Sequence, residues 1–469
     1  MQQAEGRQSD LAFKSYATRI DLVALHQHNP ARYPFLLDST AQANNYARSR
    51  YDILMACPQG QLTLDQHGRL QGAELEFSAN GFLSALDECW QQERVGSSNQ
   101  CDLDVPFTGG WFLYLGYELV NEIEPTLSLA TDHDSQLPVA CATRIPAAII
   151  YDHQKQQTTI VAENKYSSCV EKITSDIETL AQHESKLVNV YADIQEEEPQ
   201  HYLDSVARVK NYITEGDVFQ VNLSRQWHAR CDDSTNIAEL FKSLAHTNPA
   251  PFAGLVSFGE QAILSSSPER LVQIKDRTIE TRPIAGTRPR GQGRNKDDEL
   301  QDELIRHPKE RAEHIMLIDL ERNDFGRVCV PGTIKVNELM TLESYAHVHH
   351  IVSNVQGRLR DDVTPGQVIR AVFPGGTITG CPKVRCMEII AELEQTPRGP
   401  YTGSIGYLNH NGDMDLNILI RTIVIDNKQI KIRAGAGLVA DSNAENELEE
   451  TRIKAKGMLM SLNNGQTAL

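Results

Sequence analysis

Residues 401–434 read YTGSIGYLNHNGDMDLNILIRTIVIDNKQIKIRA, and this stretch decides the fold class of the 469-residue chain. Three of its segments are rich in apolar and β-branched residues and predict strands, at 401–408, 417–425 and 429–434. Turn-forming residues separate them, first around Asn411-Gly412 and then at 426–428. Two successive hairpins of this kind indicate an antiparallel sheet.

The region before these hairpins alternates helical and extended patterns. Apolar residues recur at helical spacing over 202–213 and stop at Gly216, and 218–223 then predicts a strand. Residues 147–161 predict two strands joined by a turn, and 172–183 predict a helix. Hairpins mixed with amphipathic helices indicate an α+β fold, with helices on the outer faces of the sheets.

One composition shift divides the chain. Residues 185–200, SKLVNVYADIQEEEPQ, end in an acidic, proline-containing stretch that predicts an exposed connector. We place a working boundary at residue 195, which separates an N-terminal region, 1–195, from a C-terminal region, 196–469. Pairing of strands across this boundary is left open by the sequence.

Composition excludes several classes of protein. Apolar residues make up 40% of the chain, charged residues 23%, and no apolar run is long enough for a transmembrane helix. The first ten residues, MQQAEGRQSD, contain no apolar signal segment. A net charge of −18 makes nucleic acid and anionic membranes poor partners. Nine widely spaced cysteines without a CxxC pair favour a reducing cytoplasm over disulfides or zinc.

Two predicted helices carry paired carboxylates. Glu310 and Glu313 lie three residues apart and therefore on one helical face, and Glu447 and Glu450 repeat this spacing. Two such pairs can converge on Mg²⁺, which takes one or two carboxylates and keeps water in its other positions. The alternative is ordinary surface charge, since Glu450 and Lys454 have the spacing of a helix salt bridge.

Two glycine-containing segments permit close approach of a ligand. In 373–388, FPGGTITGCPKVRCME, Thr379 is a plausible N-cap of the helix that follows, and a helix N-terminus can hold an anion. A simple loop-to-helix junction is the alternative. In 434–437, AGAG, the glycines allow close backbone approach to a ligand, or mark a bulge.

Two further segments carry charge or titratable rings. In 345–350, YAHVHH, strand alternation places His347 and His349 on one face and His350 on the other, as acid–base or structural histidines. The three arginines of 281–290, TRPIAGTRPR, belong either to a loop that lines an anion site or to a solvated basic turn.

Taken together and in this order, these segments resemble the chorismate-utilising enzymes. That family includes component I of anthranilate synthase, component I of aminodeoxychorismate synthase, isochorismate synthase and salicylate synthase. The resemblance covers nearly the whole chain, with weaker signals in FLLDS (35–39), SRYDI (49–53) and FTGGWFLYLGYE (107–118). The specific blocks are GDVFQVNLSR (216–225), LSSSPERL (264–271), RPIAGT (282–287), RAEHIMLIDLERNDFGRV (311–328), YAHVHHIVS (345–353), FPGGTITGCPKVRCMEII (373–390), GSIGYL (403–408) and AGAGLVADS (434–442).

The resemblance implies two large intertwined antiparallel or mixed sheets flanked by helices, and a Mg²⁺-dependent chorismate site. Its implied metal ligands are Glu313 and Glu450 directly, with Glu310 and Glu447 behind them through water. Its implied substrate contacts are Arg421 and Tyr401 at the enolpyruvyl carboxylate, the Gly435 and Gly437 backbone beside it, Lys454 near the ring carboxylate, His350 at the departing 4-hydroxyl and Thr377 along the ring.

Two positions bear on which reaction the resemblance implies. Family members that add water carry a lysine where this chain has Gln220, and an amide cannot activate water, so an ammonia-using enzyme is expected. Members that make 4-amino-4-deoxychorismate often carry a lysine at the position of Ala285, where alanine is typical of anthranilate synthases. Three blocks nevertheless resemble component I of aminodeoxychorismate synthase: FPGGTITG, QVNLS and GSIGYL. We therefore expect amination at C4, with anthranilate formation, or a degenerate non-catalytic subunit, as alternatives.

The resemblance also implies partners. The chain has no G-x-C-x-G nucleophile block, so ammonia would come from a separate glutamine amidotransferase subunit, and a separate lyase would finish p-aminobenzoate. The N-terminal blocks correspond to the family's tryptophan pocket, which implies Leu37, Ser39 and Ser49 as its lining. Whether tryptophan binds there as a regulator or as a structural ligand stays open.

Overall fold

The computed structural model describes residues 3–8, 10–39, 50–94, 103–180, 193–231, 235–291, 293–344 and 348–463. These ranges contain eleven α-helices: α1 Leu22–His28, α2 Phe82–Glu93, α3 Val120–Ile123, α4 Ser168–Leu180, α5 Pro199–Glu215, α6 Ile237–Thr247, α7 Arg294–Arg306, α8 Pro308–Gly326, α9 Pro365–Val372, α10 Lys383–Glu394 and α11 Ala444–Leu462.

The strands of the same ranges form two sheets. The strands are β1 Gln3–Gln8, β2 Leu11–Tyr16, β3 Phe35–Asp38, β4 Tyr51–Ala56, β5 Gln61–Leu64, β6 Leu70–Ala73, β7 Gly110–Leu115, β8 Ala140–Ile145, β9 Ala147–Asp152, β10 Gln157–Glu163, β11 Gln195–Glu196, β12 Gln220–Arg230, β13 Phe252–Phe258, β14 Gln261–Ser267, β15 Arg270–Lys275, β16 Thr278–Thr281, β17 Ile284–Pro289, β18 Lys335–Ser344, β19 Val348–Arg358, β20 Gly380–Cys381, β21 Ser404–Asn409, β22 Met414–Asn417, β23 Thr422–Asp426 and β24 Gln429–Leu438.

The first sheet has the order β1-β2-β10-β9-β4-β3-β13-β14-β23-β24-β12-β11, with β20 also paired to β12. The second has the order β17-β19-β16-β15-β22-β21-β7-β8-β5-β6, with β18 also paired to β19. In each sheet the strands before residue 195 form one block and the later strands another, and the two blocks meet where β3 pairs with β13 and where β7 pairs with β21. The two regions therefore share both sheets.

The two sheets face each other and helices cover their outer faces. Between the sheets, Phe35 of the first stacks on Phe112 of the second at a ring-centroid distance of 3.8 Å. Helices α1, α4, α6 and α11 pack apolar residues on the first sheet, and α2, α8 and α9 do so on the second. The result is the predicted α+β arrangement, and every described strand pair is antiparallel.

The deciding stretch forms two hairpins, but not quite where the sequence predicts them. The predicted strand at 417–425 is wrong, because β22 ends at Asn417 in the second sheet and β23 begins at Thr422 in the first. Residues 418–421 carry the chain from one sheet to the other. Their apolar side chains resemble a strand in sequence, whereas the positive φ of 54° at Arg421 interrupts the extended backbone.

The predicted helices at 202–213, 309–319 and 446–460 are confirmed as parts of α5, α8 and α11. Gly216 ends α5 with a left-handed φ of 86°, which glycine adopts without a steric penalty. The first half of the predicted connector, 185–192, lies outside the described residues, and its second half contains β11 and the start of α5. No helix in the described part of the chain is both long and apolar enough to cross a bilayer.

Candidate active site

Arg421 stands at the crossing between the two sheets. Its guanidinium is desolvated, and burial lowers its pKa, although Tyr401 and Glu450 act in the opposite direction. No hydrogen bond or ion pair joins this guanidinium to another described residue, and Glu450 acts on it only through the longer-range attraction of its charge. A desolvated cation without an acidic partner is suited to bind an anion.

Tyr401 and two glycines form the wall beside Arg421. Tyr401 is 6% exposed, and burial is the main cause that raises its pKa to about 12, so its hydroxyl stays protonated. A Cβ on Gly435 would lie 2.9 Å from that hydroxyl, and a Cβ on Gly437 would collide with the Gln220 amide. Both glycines pair regularly with β12, so they permit close approach and do not form a bulge.

Gln220 brings an unsatisfied amide to the same wall. Its side chain is buried, and its Oε1 has no hydrogen-bond partner among the described residues. The Oδ1 of Asn222, two residues along β12, is unsatisfied in the same sense. Buried polar atoms are normally paired, so both atoms point to a polar ligand.

His350 lies on β19 opposite Thr287, with a bulge at Gly286 beside it. Burial, reinforced by the nearby Arg421, lowers the pKa of His350 to about 4, and a hydrogen bond to the Gly286 backbone only partly opposes this. The ring is therefore neutral at neutral pH. Ala285 is buried on β17 one residue before the bulge.

The neighbouring His349 points the other way, as strand alternation predicts. Its Nε2 lies 2.9 Å from Asp297 Oδ1 and its Nδ1 lies 2.7 Å from Ser344 Oγ, so it has a structural role. His347 lies outside the described residues.

A buried carboxyl that the sequence analysis did not select, Glu269, completes the centre. Burial raises its pKa to about 7, against smaller opposing effects of the Thr377 hydroxyl, the Ile284 N–H and Lys454. Thr377 Oγ1 is buried and makes no well-aligned hydrogen bond to a described residue, although it lies close enough to favour the carboxylate. The available sequence signal was its place in the block LSSSPERL (264–271), from which the sequence analysis selected no residue.

The four predicted metal ligands lie on α8 and α11. Glu310 accepts a hydrogen bond of 3.1 Å from Arg288, and Glu450 lies 2.7 Å from Lys454 Nζ, which also donates to the Gly435 carbonyl at 3.0 Å. Glu313 lies one helical turn beyond Glu310. The pKa of the buried Tyr202 phenol is raised mainly by burial, and the negative charges of Glu447 and Glu450 add to this shift.

No set of three or more metal-binding side chains is gathered within the described residues. Mg²⁺ does not require one, because it commonly takes only one or two carboxylates together with water. Glu310 already pairs with Arg288, and Glu450 already pairs with Lys454. These two carboxylates therefore lie where a positive charge is stabilised. The donor set therefore fits Mg²⁺ in its chemistry.

Two sequence interpretations are corrected here. The arginines of 281–290 form no open anion site, because Arg282, Arg288 and Arg290 all pair with carboxylates. Thr379 is not a helix cap, because its hydroxyl donates to the Gly375 carbonyl at 2.9 Å and Pro382 occupies the N-cap of α10. The position of the 373–379 loop is consequently set by contacts of its own residues and not by capping of the helix that follows.

A separate cavity of about 340 Å³ lies between the two sheets. Leu37 and Ser39 line it, together with the charged side chains of Arg50 and Arg270, and its proposed ligand stays a prediction. Ser49 lies outside the described residues. The volume lies within the range of small-molecule pockets.

Comparisons with known proteins agree with this geometry. The family described as chorismate binding enzyme matches residues 32–460. The aminodeoxychorismate synthase component 1 of Bacillus subtilis is 41% identical over 367 residues, or 76% of this chain and 77% of that protein. The anthranilate synthase component 1 of Synechocystis is 36% identical in an alignment of 473 positions that covers 92% of this chain and 91% of that protein.

A solved structure shares the fold. The crystal structure of anthranilate synthase component I from Streptococcus pneumoniae superposes with a TM-score of 0.78 at 31% sequence identity, and covers 87% of this chain and 92% of that one. The matches extend through both regions of the chain and through the elements that carry Arg421, His350 and Glu269. The chain belongs to the family of chorismate-binding enzymes.

Proposed function

We propose that the chain is component I of an aminodeoxychorismate synthase, which converts chorismate and ammonia into 4-amino-4-deoxychorismate. The observation that carries the proposal is the desolvated guanidinium of Arg421, which has no acidic partner among the described residues and lies near Tyr401 and His350. A dianionic substrate such as chorismate supplies the carboxylate that this cation lacks.

Each charged end of the substrate has a place in this proposal. Arg421 and the Tyr401 hydroxyl hold the enolpyruvyl carboxylate beside the backbone of Gly435 and Gly437. Lys454, which reaches Gly435 at 3.0 Å, serves the ring carboxylate. These contacts fix the ring between Thr377 and His350 and keep it oriented for substitution.

Glu269 is the group best suited to handle protons. With a pKa of about 7, Glu269 is partly protonated near neutral pH, whereas His350, with a pKa of about 4, is neutral and has no acidic proton to donate. As the C4–oxygen bond breaks, Glu269 gives its proton to the departing hydroxyl, which leaves as water. A C–N bond forms to ammonia, and the resulting ammonium returns a proton to Glu269. His350 contributes a neutral polar contact at the hydroxyl.

We propose Mg²⁺ as the cofactor, held directly by Glu313 and Glu450 and through water by Glu310 and Glu447. When bound, this ion supplies neutralisation of the ring carboxylate and withdrawal of electron density from the ring. The residues described above perform the remaining tasks of binding, orientation and proton transfer.

Ammonia as nucleophile is supported by Gln220, whose amide cannot take a proton from water. We propose that a separate glutamine amidotransferase subunit delivers the ammonia, and that a separate lyase converts the product into p-aminobenzoate. Relatives named for component 1 of either synthase are present at similar identity.

The second candidate is component I of anthranilate synthase, in which ammonia adds at C2 and pyruvate is eliminated. Ala285 favours it, because a buried methyl group cannot form a covalent adduct with the ring. The loop sequence FPGGTITG favours amination at C4.

Product identification decides between the two. The purified chain is incubated with chorismate, Mg²⁺ and an ammonium salt at alkaline pH, with and without added aminodeoxychorismate lyase. Chromatography with fluorescence detection separates anthranilate from p-aminobenzoate. We expect p-aminobenzoate only when the lyase is present, whereas anthranilate without lyase establishes the second candidate and consumption of no chorismate rejects both.

We further propose that the cavity between the sheets binds tryptophan. Its lining combines apolar Leu37 with Ser39 and with acidic and basic side chains, which suits a zwitterion with an apolar ring. Calorimetric titration with L-tryptophan and with L-alanine tests this. Heat with tryptophan alone, lost in a Leu37→Glu variant, is the expected result, and no heat with either amino acid contradicts the proposal.

A further inference from the structure

The active-site loop at 375–379 is held from two opposite sides. On one side, the Thr377 side chain approaches the Glu269 carboxyl. On the other side, the Gly376 N–H approaches the carboxyl of Glu321 on α8 closely enough to favour its ionised form. A Cβ added to Gly376 would lie 3.3 Å from Glu321 Oε1, so the two elements are in direct contact.

Glu321 is buried, with 5% of its surface exposed. Three charged groups surround it: Asp324 one turn along α8, Lys383 at the start of α10, and Glu269 across the loop. Lys383 is engaged by Asp324 at 2.6 Å. Glu321 therefore has no cation to itself among these neighbours, and its environment favours the uncharged carboxyl.

We propose that Glu321 is a positioning residue for catalysis. It holds Gly376 in place, so that Thr377 lies at a fixed distance from the substrate ring. The inference rests on the proposed function, in which Thr377 lies along the ring. Glu321 touches neither substrate nor reacting atoms, and acts only through the loop.

The uncharged state of Glu321 matters to this role. Burial, with the nearby Asp324 as second cause, raises the pKa of Glu321 to about 8, while Lys383 and the Gly376 N–H oppose the shift. Below that pH the loop rests on a neutral acceptor. Above it, a negative charge appears beneath the loop and close to Glu269, which disfavours ionisation of Glu269 and disturbs its proton transfer.

Two substitutions distinguish the role of Glu321 as a hydrogen-bond acceptor from the effect of its negative charge. Glu321→Gln keeps a carbonyl oxygen for the Gly376 N–H, and Glu321→Ala removes it. The matched control is Asp87→Asn, which alters another buried carboxyl that accepts a glycine N–H, from Gly366 at 2.7 Å, away from the site.

The first readout is hydrogen–deuterium exchange of the peptide that covers 373–382, corrected for the intrinsic pH dependence. We expect exchange about tenfold faster in Glu321→Ala than in the wild type, and near wild-type exchange in Glu321→Gln and Asp87→Asn. This readout decides the positioning of the loop even if the chain does not consume chorismate, an outcome that would reject the proposed function alone.

The second readout is the rate of chorismate consumption from pH 6.5 to 9.5 at a constant concentration of free ammonia. We expect kcat to fall about 10- to 100-fold in Glu321→Ala with little change in KM, because the ring is bound but misaligned. Glu321→Gln restores most of the rate and lacks the part of the alkaline decline centred near pH 8, whereas the decline caused by ionisation of Glu269 near pH 7 remains. Unchanged exchange and kcat in Glu321→Ala, or equal damage in Glu321→Gln, overturns the proposal.

Discussion

Arg421 combines a left-handed backbone, a desolvated guanidinium and no acidic partner among the described residues. Each feature costs stability, since non-glycine residues avoid positive φ and an uncompensated buried charge is unfavourable. Its position in sequence was identified through the chorismate-utilising resemblance. Its isolation from acidic side chains could not be predicted, because it depends on where other elements place their charges.

Arg421→Gln tests this balance between stability and binding. We expect kcat/KM for chorismate to fall by at least about 100-fold, because the carboxylate loses its charged partner. The same substitution removes an unpaired charge and should raise the Tm of the ligand-free protein by about 1–2 °C.

The matched control is Arg398→Gln. Arg398 is buried and lies 2.6 Å from Glu394, so its loss removes one of the two arginines that neutralise this buried carboxylate and should lower the Tm by several degrees. Thermal melts and steady-state kinetics of both variants supply the comparison. A lower Tm in Arg421→Gln would contradict the assignment of Arg421 as an uncompensated cation.

The acidic pairs give a second prediction for single residues. Glu313→Ala or Glu450→Ala should abolish turnover at every Mg²⁺ concentration, because each removes a proposed direct ligand. Glu449→Ala, a change of an exposed neighbour on α11, should retain the wild-type rate. Rates measured against Mg²⁺ concentration check this, and full activity in either ligand variant refutes the metal assignment.

Strands and helices were predicted unequally well. Helices α5, α8 and α11 follow from apolar spacing and helix-ending residues, which are local properties. The break at 418–421 does not, because Ile418, Leu419 and Ile420 form an apolar run that suits one strand as well as a passage between two buried sheets. Glu269 was overlooked for a similar reason, since burial is not visible in a single acidic letter.

Strand β21 yields a prediction at this scale. A Cβ on Gly406 would collide with the backbone oxygen of Asp415 on β22, which cannot move without breaking the ladder. Gly406→Ala should therefore destabilise the protein by more than about 3 kcal/mol, as other severe overpacking does. Gly216 also has a positive φ, but a Cβ there would meet no other atom, so Gly216→Ala should lower the free energy of unfolding by only about 1 kcal/mol. Urea unfolding of both variants measures the difference, and equal midpoints would refute the close packing.

For the whole molecule, buried carboxyls set how stability varies with pH. Burial raises the pKa of Glu118 to about 7, above the ordinary value of 4.5. Between these two values the folded state holds a proton that the unfolded state has lost, so stability falls as pH rises. We expect the Tm to fall between pH 5 and pH 7.5, and to fall less steeply in Glu118→Gln. An identical slope in the variant would contradict this cause.

Shared sheets also predict how the chain responds to division. The sequence suggested a boundary at residue 195, yet pairing of β3 with β13 and of β7 with β21 depends on residues far apart, which local patterns do not encode. Fragments 1–195 and 196–469 should each fail to fold alone, because the cut exposes the edges of β3 and β7 in one fragment and of β13 and β21 in the other. Circular dichroism and limited proteolysis of each fragment test this, and a stable, cooperative fragment would contradict it.

The pairing of early strands with late strands has a consequence for synthesis on the ribosome. When residues near 36 have emerged, their partner strand near 255 has not yet been translated, and the neighbours of β7 near 405 come later still. The nascent N-terminal half therefore exposes unpaired strand edges and apolar sheet faces until translation is almost complete. Its yield in the cell should depend on chaperones that bind nascent chains, and codon changes that slow translation of the second half should lengthen this vulnerable interval.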